Sequence, residues 1–288
     1  MSAPEELIEI LIDKALETRH IAILGVPLPK TVQELPTEPE ALIESCGLPL
    51  IVKPRYFKYT KTIGAKNRIC TTPDQVRELY EQCAGMLHHL VAQEVIPGND
   101  ETQWVAHASF GKGGKWLGGF SFRRLGLVPS HFGVTSYAIS EYNDEVLRLS
   151  RVIGEKLGYR GPAMIEFKFD SRDNTYKYIE LNPRLAMVNS LASRCGFDTA
   201  LAAYYVALDR EGDIPKFQTQ REGVIYLDFY DDLYARIKDG QSLFGVLRHY
   251  ASNGFKPHVG AYLSWDDPTP GIAIGWYNAT RTLTNLVG

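Results

Sequence analysis

The sequence predicts an α+β fold built on antiparallel strands. Three observations carry that expectation. Strand patterns at 91–96, 103–110 and 116–124 follow one another through Pro/Gly/Asn or Gly/Lys turns, with no helix between them. Two stretches at 163–170 and 176–182 alternate with period two around a turn-rich loop, as a hairpin does. Helical patterns at 4–24, 72–87, 140–158 and 198–210 flank these strands. A chain of 288 residues, 44% hydrophobic and 23% charged, is long enough for a sizeable core and two packed units.

Composition excludes several function classes. Lys+Arg 31 against Asp+Glu 34 leaves a net charge of -3, and no basic block is dense enough for nucleic acid or an anionic membrane. The longest apolar runs, 47–52 and 200–208, are too short to span a bilayer. Glu5, Glu6, Glu9 and Asp13 interrupt the apolar positions that a signal peptide needs. Cys46, Cys70, Cys83 and Cys195 lack zinc or disulfide spacing, so the reading is a cytoplasmic protein with reduced thiols.

The elements follow in order. Leu7, Ile8, Leu11, Ile12, Ala15 and Leu16 carry the three-four spacing of one amphipathic helix over 4–24. Residues 48–53 read as a buried strand closed by Pro54, and 56–67 as a loop without period. Thr72-Pro73-Asp74-Gln75 opens the next helix with a capping-box pattern and proline at its first position. After the three strands, Ser140 is expected to cap a helix ending at Gly158. Gly212-Asp213-Ile214-Pro215 then breaks the chain. Beyond it come a strand at 224–230, helices at 231–238 and 243–251, and a tail rich in Pro, Trp and Tyr.

The hairpin at 163–182 is the most informative segment. Closed at its turn, it pairs Ile165 with Leu181 and Phe167 with Ile179 on one apolar face. The other face then sets Glu166 opposite Glu180, with Asn182 next along the strand. Like charges directly opposite one another destabilise a sheet, so two carboxylates and an amide oxygen ask for a cation. An all-oxygen set suits Mg²⁺ or Mn²⁺. The same pattern also describes a solvated outer face on which Lys168 and Tyr178 screen the glutamates.

Residues 161–184, GPAMIEFKFDSRDNTYKYIELNPR, resemble the metal-binding hairpin of the ATP-grasp superfamily. The fourteen-residue step from Glu166 to Glu180, followed by Glu180, Asn182 and Arg184 as ExNxR, is its specific signal. Asp13-Lys14, the strand 49–54 with Lys53, and the segment 93–98 (QEVIPG) follow the superfamily's order. Arg123-Arg124 and Asp266-Asp267-Pro268-Thr269-Pro270 look most like predicted carboxylate–amine ligases related to the carbamoyl-phosphate synthetase large subunit.

The resemblance implies two α/β lobes with antiparallel sheets clasping ATP over 1–212, a small lobe at about 30–95 and a large lobe at about 96–212. A mixed extension would fill 213–288. It implies Glu166, Glu180 and Asn182 as ligands of Mg²⁺ (or Mn²⁺), and Arg184 as the clamp on the γ-phosphoryl or an acyl phosphate. Lys14 and Lys53 would contact phosphates, with Lys66 from the covering loop. The hinge Glu94, Val95 and Ile96 would offer adenine a carbonyl and an N–H, and Glu101, with Asp100 as the competing position, would accept the ribose hydroxyls. Arg123 or Arg124 would meet the acceptor carboxylate, and alternation sends only one of them inward.

Two features depart from the superfamily's pattern. The loop 55–68 has a single glycine, Gly64, among Lys58, Lys61 and Lys66, so side-chain cations would replace backbone N–H groups at the phosphates. The motifs begin almost at the N-terminus, so a preceding α/β domain is expected on another chain or not at all. The expected function is ATP-dependent joining of a small-molecule carboxylate to an amine, with a homodimer as one possible assembly. A nucleotide-binding subunit without ligase chemistry is the alternative.

Overall fold

The computed structural model describes residues 4–60, 64, 67–130, 133–217, 219–252, 258–262 and 267–277. Lys66 and Asp266 lie outside them. Two sheets face each other across a cleft.

The N-terminal stretch is two helices rather than one, α1 (Glu5–Ile12) and α2 (Lys14–Ile23). Asp13 divides them: its backbone is extended, and its carboxylate accepts from the Ala15 N–H at 2.9 Å. An aspartate in that conformation satisfies orphan donors of the new helix, and Arg55 at 2.6 Å holds it there.

The first sheet contains β1 (Thr31–Val32), β2 (Leu50–Pro54), β3 (Arg68–Cys70) and β4 (Leu90–Glu94), in the order β1-β4-β2-β3. Helices α3 (Pro39–Cys46) and α4 (Pro73–Gln82) cover one face, closing a core of Leu42, Leu50, Val52, Val76, Leu79 and Leu90. Thr72 and Gln75 form the capping box read from the sequence. The helix stops at Gln82, short of Leu87, because Gly85 turns the chain with φ +80.

The second sheet has seven strands: β5 (Gln103–Phe110), β6 (Trp116–Val128), β7 (Val134–Ser140), β8 (Gly161–Asp170), β9 (Thr175–Asn182), β10 (Ile225–Leu227) and β11 (His258–Gly260). Their order is β11-β10-β7-β6-β5-β8-β9. Only the β10–β11 pair is parallel. Helix α5 (Asp144–Leu157) packs Val146 and Ile153 against Trp104, Phe110 and Phe167 on one face, where Leu7, Leu11 and Ile21 join from α1 and α2. On the other face α6 (Asn189–Arg194) and α7 (Thr199–Ala207) meet Val105, Phe120 and Phe122. Asn143, not Ser140, caps α5; Ser140 ends β7, a strand that the sequence reading did not separate.

Residues beyond 212 contribute β10 and β11 to this same sheet, followed on β10 by α8 (Phe229–Lys238) and α9 (Leu243–Ser252). Among the described residues no helix is long and apolar enough to cross a membrane. All four cysteines are buried thiols.

The hairpin β8–β9 keeps the expected pairs Ile165–Leu181 and Glu166–Glu180 and then departs from the expected register. A bulge sets Phe167 opposite Tyr178, not Ile179. Tyr178 is therefore a core residue, 1% exposed, and cannot screen the glutamates. Ile179 instead lines the cleft. The cause lies outside the hairpin. Strand β9 is the sheet's edge, and the N-terminal segment covers it: Tyr178 N–H donates to Pro27 O, while Leu181 N–H and Tyr178 Oη both donate to the Glu17 carboxylate.

Candidate active site

The cleft between the sheets is lined from both sides. The second sheet supplies Glu166, Glu180, Asn182 and Arg124, and Arg184 follows β9 directly. The first supplies Lys53 from β2 and Glu94 from β4, with Val95 and Ile96 just beyond the strand; α2 adds Lys14 at its first residue. Ten of the residues singled out from the sequence thus share one cavity wall.

Each carboxylate in the cleft has a cation against it. Arg124 Nη1 lies 2.7 Å from Glu166 Oε2, with the two side chains 5% and 11% exposed. The same guanidinium donates to Gln103 Oε1 and to Thr135 Oγ1, each at 2.9 Å. Lys14 Nζ stands 3.6 Å from Glu180, whose other oxygen accepts from Asn182 Nδ2 at 2.8 Å. Lys53 Nζ donates to Gln93 Oε1 at 2.7 Å.

Burial shifts several groups around this wall. Glu17, behind β9, is pushed up to about 7 by desolvation, which outweighs Lys14 and its bonds to Tyr178 and Leu181. Lys168 is lowered by burial against the raising effect of Asp100, and its ammonium donates to Gly98 O at 2.9 Å. His107 is pushed down to about 3 by burial, then by Arg124 and Arg184, so it is neutral at physiological pH.

Two expected residues are not in the cleft. Arg123 alternates outward and pairs with Glu141 at 2.9 Å and Glu101 at 3.4 Å. Glu101 is correspondingly turned to the outside of the sheet, half-exposed on a short turn at Asp100–Thr102, and does not line the cavity. Arg123 and Glu101, expected as acceptor and ribose contacts, thus stand outside the lining of this cavity. Of the arginine pair, Arg124 is the one inside. The sequence reading missed Gln103, Thr135 and Lys168 as lining residues. Lys168 was legible, since it lies two residues from Glu166 on the same face; Thr135 sits on the unread strand β7.

The hinge has an unusual pairing. Glu94 N–H donates to Lys30 O at 2.9 Å and Val95 N–H to Pro49 O at 3.0 Å. Among the described residues, nothing donates to the Glu94 carbonyl and the Ile96 N–H has no acceptor.

Two sheets facing across a cleft, one with a carboxylate hairpin and the other with a lysine strand and hinge, define an ATP-grasp fold. Solved structures with this fold superimpose on the chain. The biotin carboxylase domain of Hydrogenobacter thermophilus 2-oxoglutarate carboxylase, in complex with MgADP and bicarbonate, has TM-score 0.59 at 15% identity, covering 78% of this chain and 51% of that one. N5-carboxyaminoimidazole ribonucleotide synthetase from Thermus thermophilus has TM-score 0.58 at 17% identity, covering 76% and 57%. Residues 136–213 match the family described as carbamoyl-phosphate synthase L chain, ATP binding domain. The carbamoyl phosphate synthase large chain of Methanocorpusculum labreanum is 26% identical over 207 residues, 68% of this chain and 19% of that protein. The D-aspartate ligase of Enterococcus faecium is 26% identical over 143 residues, 49% of this chain and 33% of that protein. The chain thus spans about a fifth of the length of the synthase relative.

Proposed function

We propose that the chain is an ATP- and Mg²⁺-dependent ligase that activates a small-molecule carboxylate as an acyl phosphate for attack by an amine. The convergence of Glu166, Glu180, Asn182 and Arg184 with Lys14, Lys53 and the hinge on one cleft carries this reading. The donor set fits the metal. Two carboxylates on paired strands and one amide are all-oxygen ligands, and Mg²⁺ takes one or two carboxylates with phosphate oxygens and water.

Bound there, Mg²⁺ (or Mn²⁺) would neutralise charge on the transferred phosphoryl group. The protein's own residues do the rest. Lys14 and Lys53 hold phosphates from opposite sides of the cleft. The unpartnered Glu94 carbonyl and Ile96 N–H match the donor N6 and acceptor N1 of adenine. Arg184 clamps the γ-phosphoryl or the acyl phosphate as a bidentate donor. Arg124, paired with Glu166, would be the cation available to the acceptor carboxylate with Mg²⁺ held at Glu166.

The test is ADP release from ATP across pools of carboxylates and amines, with and without Mg²⁺. Release that depends on both a carboxylate and an amine is the expected result. Nucleotide binding with no release over any pool refutes the ligase reading and leaves a nucleotide-binding module.

A further inference from the structure

The hinge carries a hydrogen-bond substitution that the ligase reading does not use. Lys30 and Glu94 stand opposite each other in continuation of the β1–β4 register, where Thr31 faces Gln93. Two residues so paired in an antiparallel ladder exchange both of their bonds. Only one is made here: Glu94 N–H donates to Lys30 O at 2.9 Å. The return donor, Lys30 N–H, goes to Glu94 Oε1 at 2.8 Å instead of to the Glu94 carbonyl. Oε2 of the same carboxylate takes Arg172 at 2.9 Å, and Asp170 holds that arginine at 2.6 Å. Glu94 thus satisfies with its side chain the donor that would otherwise close on its own backbone oxygen.

We infer that the Glu94 carboxylate is a positioning residue for purine specificity, keeping its backbone carbonyl open as an acceptor for an exocyclic amino group. This rests on the ATP reading above and deepens it. Without the carboxylate, the acceptor that the ladder offers Lys30 N–H is the Glu94 carbonyl, its partner in the antiparallel register. The acceptor for adenine N6 is then occupied. Hypoxanthine, which presents a carbonyl in place of that amino group and an N–H in place of N1, is repelled by the open edge and less so by the closed one. Arg172, on the turn of the β8–β9 hairpin, ties this arrangement to the sheet that bears Glu166 and Glu180.

The experiment is titration of MgATP and MgITP into wild type, Glu94→Ala, Glu94→Met and Glu94→Gln, with melting temperatures read alongside. Methionine keeps the stem of the side chain should alanine fail to fold. Wild type should prefer MgATP, and the preference should fall about tenfold in the Ala and Met variants, the effect of one lost hydrogen bond. Glutamine retains an acceptor for Lys30 N–H and should keep most of the preference, which a general loss of packing would not reproduce. A folded Ala or Met variant with the wild-type ATP/ITP ratio overturns the inference. So does a Gln variant as indiscriminate as Met. Wild type that binds neither nucleotide overturns the ATP reading itself, and this inference with it.

Discussion

Replacing Arg124 by methionine removes the cation from a buried carboxylate of the cleft. Its guanidinium lies 2.7 Å from Glu166, with side-chain exposures of 5% and 11%, so solvent screens the pair little. Methionine fills most of the stem's volume, and what disappears is the charge and the donors to Gln103 and Thr135. Breaking a buried pair by removing one partner costs about 3–5 kcal/mol, because the remaining charge is left unpaired. At about 2–4 °C per kcal/mol for a chain of this size, the metal-free protein should melt about 6–20 °C lower. The assay is thermal melting of wild type and Arg124→Met in chelator and in Mg²⁺. Mg²⁺ should restore part of the loss by supplying the missing cation at Glu166 and Glu180. Combining Arg124→Met with Glu166→Gln should recover stability in chelator, since no unpaired charge then remains. A double variant no more stable than Arg124→Met alone would refute the charge argument. Equal melting with and without Mg²⁺ would refute the metal's place on these carboxylates.

Three further outcomes are expected. Glu180→Gln should lower acceptor-dependent ADP release on the order of a hundredfold. Its metal-free melting should barely move, because the Lys14–Glu180 pair, 30% and 27% exposed, is worth at most about 1 kcal/mol; unchanged release sinks the role of the hairpin. Glu101→Ala should leave MgATP affinity within about twofold, as surface changes outside a site do; a large loss in titration calorimetry would return Glu101 to the ribose. Glu17 has its carboxyl raised from 4.5 to about 7, so between those values the folded state holds a proton that the unfolded state releases. Stability should therefore fall as pH rises through that window, by about 3 kcal/mol from this group. Urea unfolding at pH 5 and pH 8 should show that fall in wild type and a smaller one in Glu17→Gln, and equal slopes would contradict it.

The parts of the site legible in the sequence are those that depend on neighbours within one strand or hairpin. Period-two alternation was enough to place Glu166 against Glu180, because a one-residue slip would have put charges into the core. The same parity argument distinguishes Arg124 from Arg123: Arg124 shares its face with Phe120 and Phe122, both fully buried, and so must point inward with them. What alternation does not convey is the bulge that moves Ile179 into the cleft and Tyr178 into the core. That depends on Glu17, more than 160 residues away in the chain, taking Tyr178 Oη and the Leu181 N–H together.

Glu101 lies outside the cavity lining for a related reason. A fixed step from Glu94 specifies a position only if the chain between is regular, and here Gly98 at φ +107 and a short turn at Asp100–Thr102 intervene and redirect the side chain to Arg123. The break at Asp13 again combines local and distant causes: an aspartate favours an N-cap, but Arg55, from the end of β2, determines that the cap forms there. That break places Lys14 at the start of α2, facing Glu180, while one turn later Glu17 reaches behind the same strand. A single helical turn therefore supplies both a cation in front of the carboxylate hairpin and the acceptor that shapes it from behind. A continuous helix over the same residues would deny Asp13 its extended backbone and with it the start of the turn that carries both contacts.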